Sequence, residues 1–289
     1  MKLPEAEQRE KWAGAILGWG ELLLVVAFIA FRTYATIQTP SPYISPAVIP
    51  VPQQDRTEVS FTLKRGDFKV WRYAPVQPEF AAHPKAVIIF GSGDGGFDGW
   101  EDRVCKALQA DGYDVIGFDC ARYAKTDYDL ATLQADMAKI VQGAQSNDGN
   151  PPPPVILGGW SMGAVQAVAA AGGPLRPAGV TGLLLISLGD RGRYGLRDAD
   201  RWNVPPTGAG TFALADFSAS LGGLRIAQWD GKLDLLSSTK WLDGLTAAHR
   251  AFRFEYGLHD YDGASDAFLI ELKKSVGWIL AQPGTESTP

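Results

Sequence analysis

The 289-residue chain predicts an α/β domain, a mostly parallel sheet with helices on both faces. Three features predict it. From residue 86 onward, short continuously apolar runs alternate with helical patterns or longer connections, as strands buried on both faces of a parallel sheet require. An antiparallel hairpin comes before them. Val155-Ile-Leu-Gly-Gly-Trp-Ser-Met-Gly-Ala164 then sets a serine on a sharp turn between an apolar strand and a helix of small residues.

Trp12 to Phe31 is a 20-residue, almost wholly apolar stretch, and a helix of that length crosses the roughly 30 Å of hydrocarbon in a bilayer. Its one carboxylate, Glu21, costs on the order of 2.5 to 3.5 kcal/mol near mid-membrane, which the apolar residues from Leu22 onward offset. The rival reading is a cleaved signal peptide. Thr33-Tyr34-Ala35 is a poor cleavage site, and the span exceeds the roughly 7 to 15 apolar residues of a signal peptide. Residues 1–35 are therefore expected to be a membrane anchor. Lys2, Arg9 and Lys11 precede the span and only Arg32 closely follows it, which sets the N-terminus in the cytoplasm and the bulk of the chain outside. In a bacterium this is an inner-membrane protein with a periplasmic domain. Gly14 and Gly18 form a small-xxx-small pair that admits an anchor-mediated homodimer.

Residues 36–55 carry prolines 40, 42, 46, 50 and 52 and read as a semi-rigid, Pro-rich linker. The domain is expected over residues 56–282, with a disordered tail from 283 to 289. Glu58 to Lys64 and Phe68 to Ala74 alternate apolar and polar residues around Arg65-Gly66-Asp67, the pattern of a hairpin. The parallel strands are predicted over Ala86 to Phe90, Asp114 to Asp119, Val155 to Gly158, Gly182 to Ser187, Leu224 to Trp229 and Ala251 to Tyr256. A leading hairpin followed by such strands is the layout of the α/β-hydrolase fold. Arg191 to Ser220 lacks clear periodicity and is the candidate cap or substrate-facing insertion.

A net charge of -5 without a polybasic stretch excludes nucleic acid as the expected partner. The two cysteines, Cys105 and Cys120, fall on a predicted helix and at the end of the next strand. Their axial positions differ by roughly 10 Å, beyond the Cα reach of about 7 Å for a disulfide, so they read as separate thiols. Two cysteines and three scattered histidines form no ligand-spaced cluster, so no metal is expected, and the serine chemistry read below needs no cofactor.

Gly159-x-Ser161-x-Gly163 on a strand-to-helix turn is the nucleophile elbow, in which strained backbone lifts the serine hydroxyl clear of the sheet. A serine needs a base. His83 and His249 stand before predicted strands, at the amino ends of the sheet. His259 alone follows a strand, on the carboxyl-end face where Ser161 emerges. The acid that orients the imidazole should fall between them in the chain. Asp234 is preferred, in the loop turning back towards the histidine, with Asp230 the near rival and Asp190 a more distant one. The oxyanion needs the N–H of Met162 and one from Gly91-Ser-Gly-Asp-Gly-Gly96, expected at Gly93 or Asp94. The Asp94 carboxylate should turn away from an oxyanion and towards a cationic group on the substrate. The same loop also matches a dinucleotide-binding fingerprint, Gly91-x-Gly93-x-x-Gly96 with Asp119 ending the next strand. Against that reading stand the leading hairpin, the carboxylate of Asp94 and a helix that begins only near Asp98-Gly99-Trp100.

Ser92-Gly-Asp-Gly-Gly96, Leu108 with Gly112, Val115 to Asp119 with Arg122-Tyr123, and Gly159-Trp-Ser-Met-Gly-Ala164 together resemble the bacterial VirJ/AcvB virulence-associated family of α/β-hydrolases. The resemblance covers roughly Ala86 to Ala171 and fades through the cap region. It implies export to the periplasm and, as in some members, removal of the aminoacyl group from lysyl-phosphatidylglycerol. It also implies Ser161 as nucleophile and the Ser92 to Gly96 loop as oxyanion region. Phe97 departs from the tryptophan usual there. The expected protein is a membrane-anchored serine esterase with catalytic Ser161, Asp234 and His259. Its rival is a non-catalytic interaction or secretion-accessory protein on the same fold.

Overall fold

The computed structural model describes residues 56–145, 151–198, 200 and 205–281. The predicted anchor, linker and terminal tail lie outside the described residues. Among the described residues no helix is long and apolar enough to cross a membrane.

The strands are β1 (Thr57–Leu63), β2 (Gly66–Tyr73), β3 (Val87–Gly91), β4 (Asp114–Phe118), β5 (Val155–Trp160), β6 (Val180–Ile186), β7 (Arg191–Arg193), β8 (Thr211–Ala213), β9 (Arg225–Gly231) and β10 (Ala248–Phe254). The helices are α1 (Pro78–Ala81), α2 (Gly99–Gln109), α3 (Cys120–Tyr123), α4 (Leu130–Ala144), α5 (Met162–Gly172) and α6 (Asp266–Leu280). The main sheet runs β1-β2-β4-β3-β5-β6-β9-β10. β2 pairs antiparallel with both β1 and β4, and every later pairing in that sheet is parallel.

The apolar runs become central strands because both of their faces are covered. β3 and β4 are buried at every position. One core packs Ile89, Leu157 and Leu183 against Met137 and Ile140 of α4 and Val168 of α5. The other packs Phe90, Ile156 and Trp229 against Val104 and Leu108 of α2 and Phe268 and Leu272 of α6. The hairpin turn closes one residue earlier than the sequence predicts, through Lys64 and Arg65, with Leu63 opposite Gly66. Gly66 takes φ +100°, a conformation that a residue with a Cβ resists.

β3 lies between β4 and β5, so the connections leaving its end and that of β5 run to opposite sides of the sheet. A crevice opens at the carboxyl ends of the strands at such a switch point. Cys105 and Cys120 are free and buried, as separate thiols. Cys120 opens α3 rather than ending β4. The aperiodic stretch after β6 forms a small antiparallel hairpin, β7 with β8, followed by the 3-10 turn Leu214–Phe217. Its lack of periodicity reflects strands three residues long.

Candidate active site

Ser161 sits between β5 and α5 at φ 52°, ψ -114°. A left-handed φ at a non-glycine residue costs on the order of 1 to 3 kcal/mol and persists only where the surroundings impose it. Here the Ser161 N–H donates to the Ile186 carbonyl at 2.8 Å. The two elbow glycines admit the neighbouring chain: a Cβ at Gly159 would lie 2.5 Å from the Gly91 carbonyl oxygen, and one at Gly163 only 2.3 Å from it.

The imidazole comes from the loop after β10. His259 Nδ1 lies 3.0 Å from Asp234 Oδ2, in the loop after β9. Asp234 Oδ1 also accepts the Leu236 N–H at 2.9 Å. Burial by itself would raise the Asp234 pKa. The hydrogen bond and charge of His259 outweigh it, with help from the Leu236 N–H and the Ser187 hydroxyl, and hold the carboxyl at about 2. Asp230 is engaged elsewhere, by Ser237 and by Arg253 Nη2 at 2.9 Å. Asp190 makes no hydrogen bond to the imidazole among the described residues, and its buried Oδ1 has no partner among them.

Ser161, Met162, Asp94 and His259 line one cavity of about 560 Å³, within the usual range for small-molecule sites. Arg191, Arg193, Leu196 and Asp200 from the insertion line it too, so that segment faces the cavity as predicted. Arg193 braces the insertion, donating to Asp200 and to the Thr207 and Ala209 carbonyls. No hydrogen bond joins Ser161 Oγ to His259 among the described residues. Such bonds are often long in unliganded enzymes and tighten with substrate.

The two N–H groups expected as oxyanion donors differ in their surroundings. The Gly93 N–H is taken, donating to Glu101 Oε1 at 3.1 Å. The Asp94 and Met162 N–H groups make no hydrogen bond among the described residues. The expected donor at Gly93 thus has its N–H already engaged by Glu101, contrary to the expectation that it is open to an oxyanion. The dinucleotide reading loses its footing on the same bond, since a carboxylate occupies the N–H that a pyrophosphate would use.

Three neighbours of the site were not foreseen. Glu101 is fully buried in the first turn of α2. Its signal was present in the sequence as Asp98-x-x-Glu101, and the reciprocal cap forms: Asp98 accepts the Trp100 N–H while Glu101 Oε2 accepts the Asp98 N–H. Ser187 and Tyr261 are also buried, with their hydroxyls 3.0 Å apart. Nothing in their sequence positions signals it.

Residues 85–198 match the family model of VirJ, a bacterial virulence protein. The VirJ match takes in the Ser92 to Gly96 loop and Ser161, and ends before Asp234 and His259. No curated protein matches the chain. Solved structures resemble it over most of its length. The esterase domain of a Rhodothermus marinus protein is 16% identical, covering 78% of this chain and 98% of that one at a TM-score of 0.57. Est1E from Butyrivibrio proteoclasticus is 12% identical, covering 78% and 99% at 0.57. A dienelactone hydrolase from Anabaena variabilis is 15% identical, covering 78% and 96% at 0.56. The fold is the α/β-hydrolase fold; at these identities the likeness carries no substrate.

Proposed function

We propose that the chain is a membrane-anchored, periplasmic serine hydrolase that cleaves an ester. The observation that carries this reading is the His259–Asp234 hydrogen bond, on the wall of the cavity that the strained Ser161 also lines. In this reading His259 takes the proton as Ser161 Oγ adds to the acyl carbon. The tetrahedral oxyanion is held by the Asp94 and Met162 N–H groups, and His259 returns the proton to the leaving alcohol. Water, activated by the same imidazole, then releases the acid and regenerates the serine. Asp234 keeps the imidazole in the right tautomer and stabilises its cation. No cofactor enters the reaction.

The substrate class we favour is an aminoacyl ester of a phospholipid, such as lysyl-phosphatidylglycerol. Asp94 and Asp190 line the cavity as carboxylates suited to an ammonium group, and the apolar Trp12 to Phe31 segment would keep the domain beside a bilayer. The VirJ likeness supports the same class. Purified full-length protein should label with a fluorophosphonate and turn over p-nitrophenyl esters, and Ser161→Ala should abolish both without unfolding. Cells lacking the gene should accumulate aminoacylated phospholipid. Equal labelling of wild type and Ser161→Ala would overturn the assignment. The absence of a hydrogen bond between Ser161 Oγ and His259 among the described residues favours a second reading, a non-catalytic secretion-accessory protein. It predicts no turnover and a tightly held protein partner on pull-down from solubilised membranes.

A further inference from the structure

Two indoles grip the backbone that carries the imidazole. Trp160, the residue before Ser161, donates from Nε1 to the His259 carbonyl at 2.9 Å. Trp100, in the first turn of α2, donates from Nε1 to the Asp260 carbonyl at 2.7 Å. Adjacent carbonyls thus meet adjacent donors. The indoles stack on one another, with ring centroids 4.8 Å apart and planes inclined by 28°. Trp160 also lies 5.3 Å from the imidazole ring.

The gripped segment is one that needs holding. Tyr261, Asp262, Gly263 and Ala264 all have positive φ, between 50° and 69°. Three of these residues carry a Cβ, and such backbone persists only where its surroundings impose it. Trp100 is nearly buried, so without the Asp260 carbonyl its N–H would lose its partner away from water. Trp160 touches the other half of the site as well. A Cβ on Gly93 would come within 2.9 Å of its ring, so one indole separates the oxyanion loop from the imidazole loop.

We propose that Trp100 and Trp160 are positioning residues that set the imidazole of His259 relative to Ser161 by holding the His259 and Asp260 carbonyls. The inference rests on reading Ser161 and His259 as nucleophile and base. Neither indole lines the cavity, so their loss should leave substrate binding alone and misplace the proton acceptor.

The test uses the full chain with Trp100→Phe, Trp160→Phe, and benzothienylalanine at position 160, which keeps the bicyclic ring and lacks the N–H. A misplacement of about 1 Å at a reacting group can cost on the order of 100-fold, so kcat for a p-nitrophenyl ester should fall roughly 10- to 100-fold. KM should stay within about twofold, fluorophosphonate labelling should slow in proportion to kcat, and the downfield proton resonance of His259 Nδ1 should broaden or vanish. A purely structural role would shift the melting temperature without moving that resonance in the folded variants. Wild-type rates and an unchanged resonance in the benzothienylalanine protein would overturn the proposal. A wild type that neither labels nor turns over would reject the hydrolase reading instead, and the resonance would still decide whether the indoles hold the imidazole.

Discussion

Glu101 accepts the Gly93 N–H at 3.1 Å from a fully buried carboxyl, tying the first turn of α2 to the loop whose Asp94 lines the cavity. Burial pushes the Glu101 pKa up to about 7, against the pull of the Gly93 and Asp98 N–H groups. A carboxyl raised from its ordinary 4.5 to about 7 keeps a proton in the folded chain that the unfolded chain has already released. Its contribution is therefore complete below pH 4.5 and is lost as pH rises to about 7. Each pKa unit is worth about 1.4 kcal/mol, so the decline amounts to roughly 3 kcal/mol. Glu101→Gln should abolish it, read as a urea midpoint that no longer falls between pH 5 and pH 8.

Asp234 titrates with the opposite sign. Its pKa is held at about 2 against an ordinary 3.8, so it stabilises the fold above pH 3.8 and that stability drains away as pH falls through 2. The loss is on the order of 2 kcal/mol. Asp234→Asn should flatten this acid limb in a melting series between pH 4 and pH 2. It should also lower kcat by roughly 10³- to 10⁴-fold, because an amide does not hold the imidazole in the tautomer that accepts the serine proton. Normal turnover by a folded Asp234→Asn protein would remove Asp234 from the proposed triad.

The insertion after β6 should govern binding rather than chemistry. Arg193 and Asp200 pair at 2.9 Å with only 12% of each side chain exposed, and Asp200 also lines the cavity. Arg193→Ala leaves that carboxylate without its charge partner and frees the Thr207 and Ala209 carbonyls. The expected result is a several-fold rise in KM at nearly constant kcat, the signature of lost uniform binding. Steady-state kinetics on a p-nitrophenyl ester check it, and a fall in kcat at constant KM would contradict it.

Much of this architecture is legible in the chain because it depends on local pattern. Val155 to Leu157 or Val87 to Phe90 can be satisfied only as strands covered on both faces, and the small residues after Ser161 read as a helix pressed against β3. His259 is reachable by elimination among three histidines, while chain order leaves Asp190, Asp230 and Asp234, of which the loop turning back towards the histidine favours Asp234. What escapes is tertiary. Gly93 and Asp94 look equivalent as donors until Glu101, eight residues on, takes one of the two N–H groups. The Asp98-x-x-Glu101 spacing is visible in the chain, but the full burial of Glu101 against the Gly93 loop is not. β7 and β8 are too short for any period to register.

Two glycines in helices make opposite predictions from the same substitution. At Gly163 a new Cβ would stand 2.3 Å from the Gly91 carbonyl oxygen and 2.4 Å from its carbon. Both are backbone atoms of β3, fixed by pairing with β4 and β5, so no side chain can swing aside. Gly163→Ala should destabilise by about 3 kcal/mol or more, the upper range for overpacking, and should lift the elbow out of register. At Gly277, inside α6, a Cβ meets nothing within 4 Å. There alanine removes only the backbone entropy cost of glycine and should stabilise by about 0.5 to 1 kcal/mol. Urea denaturation of the two variants should move the midpoint in opposite directions. A tolerated Gly163→Ala would mean that β3 and α5 do not pack as closely as the elbow requires.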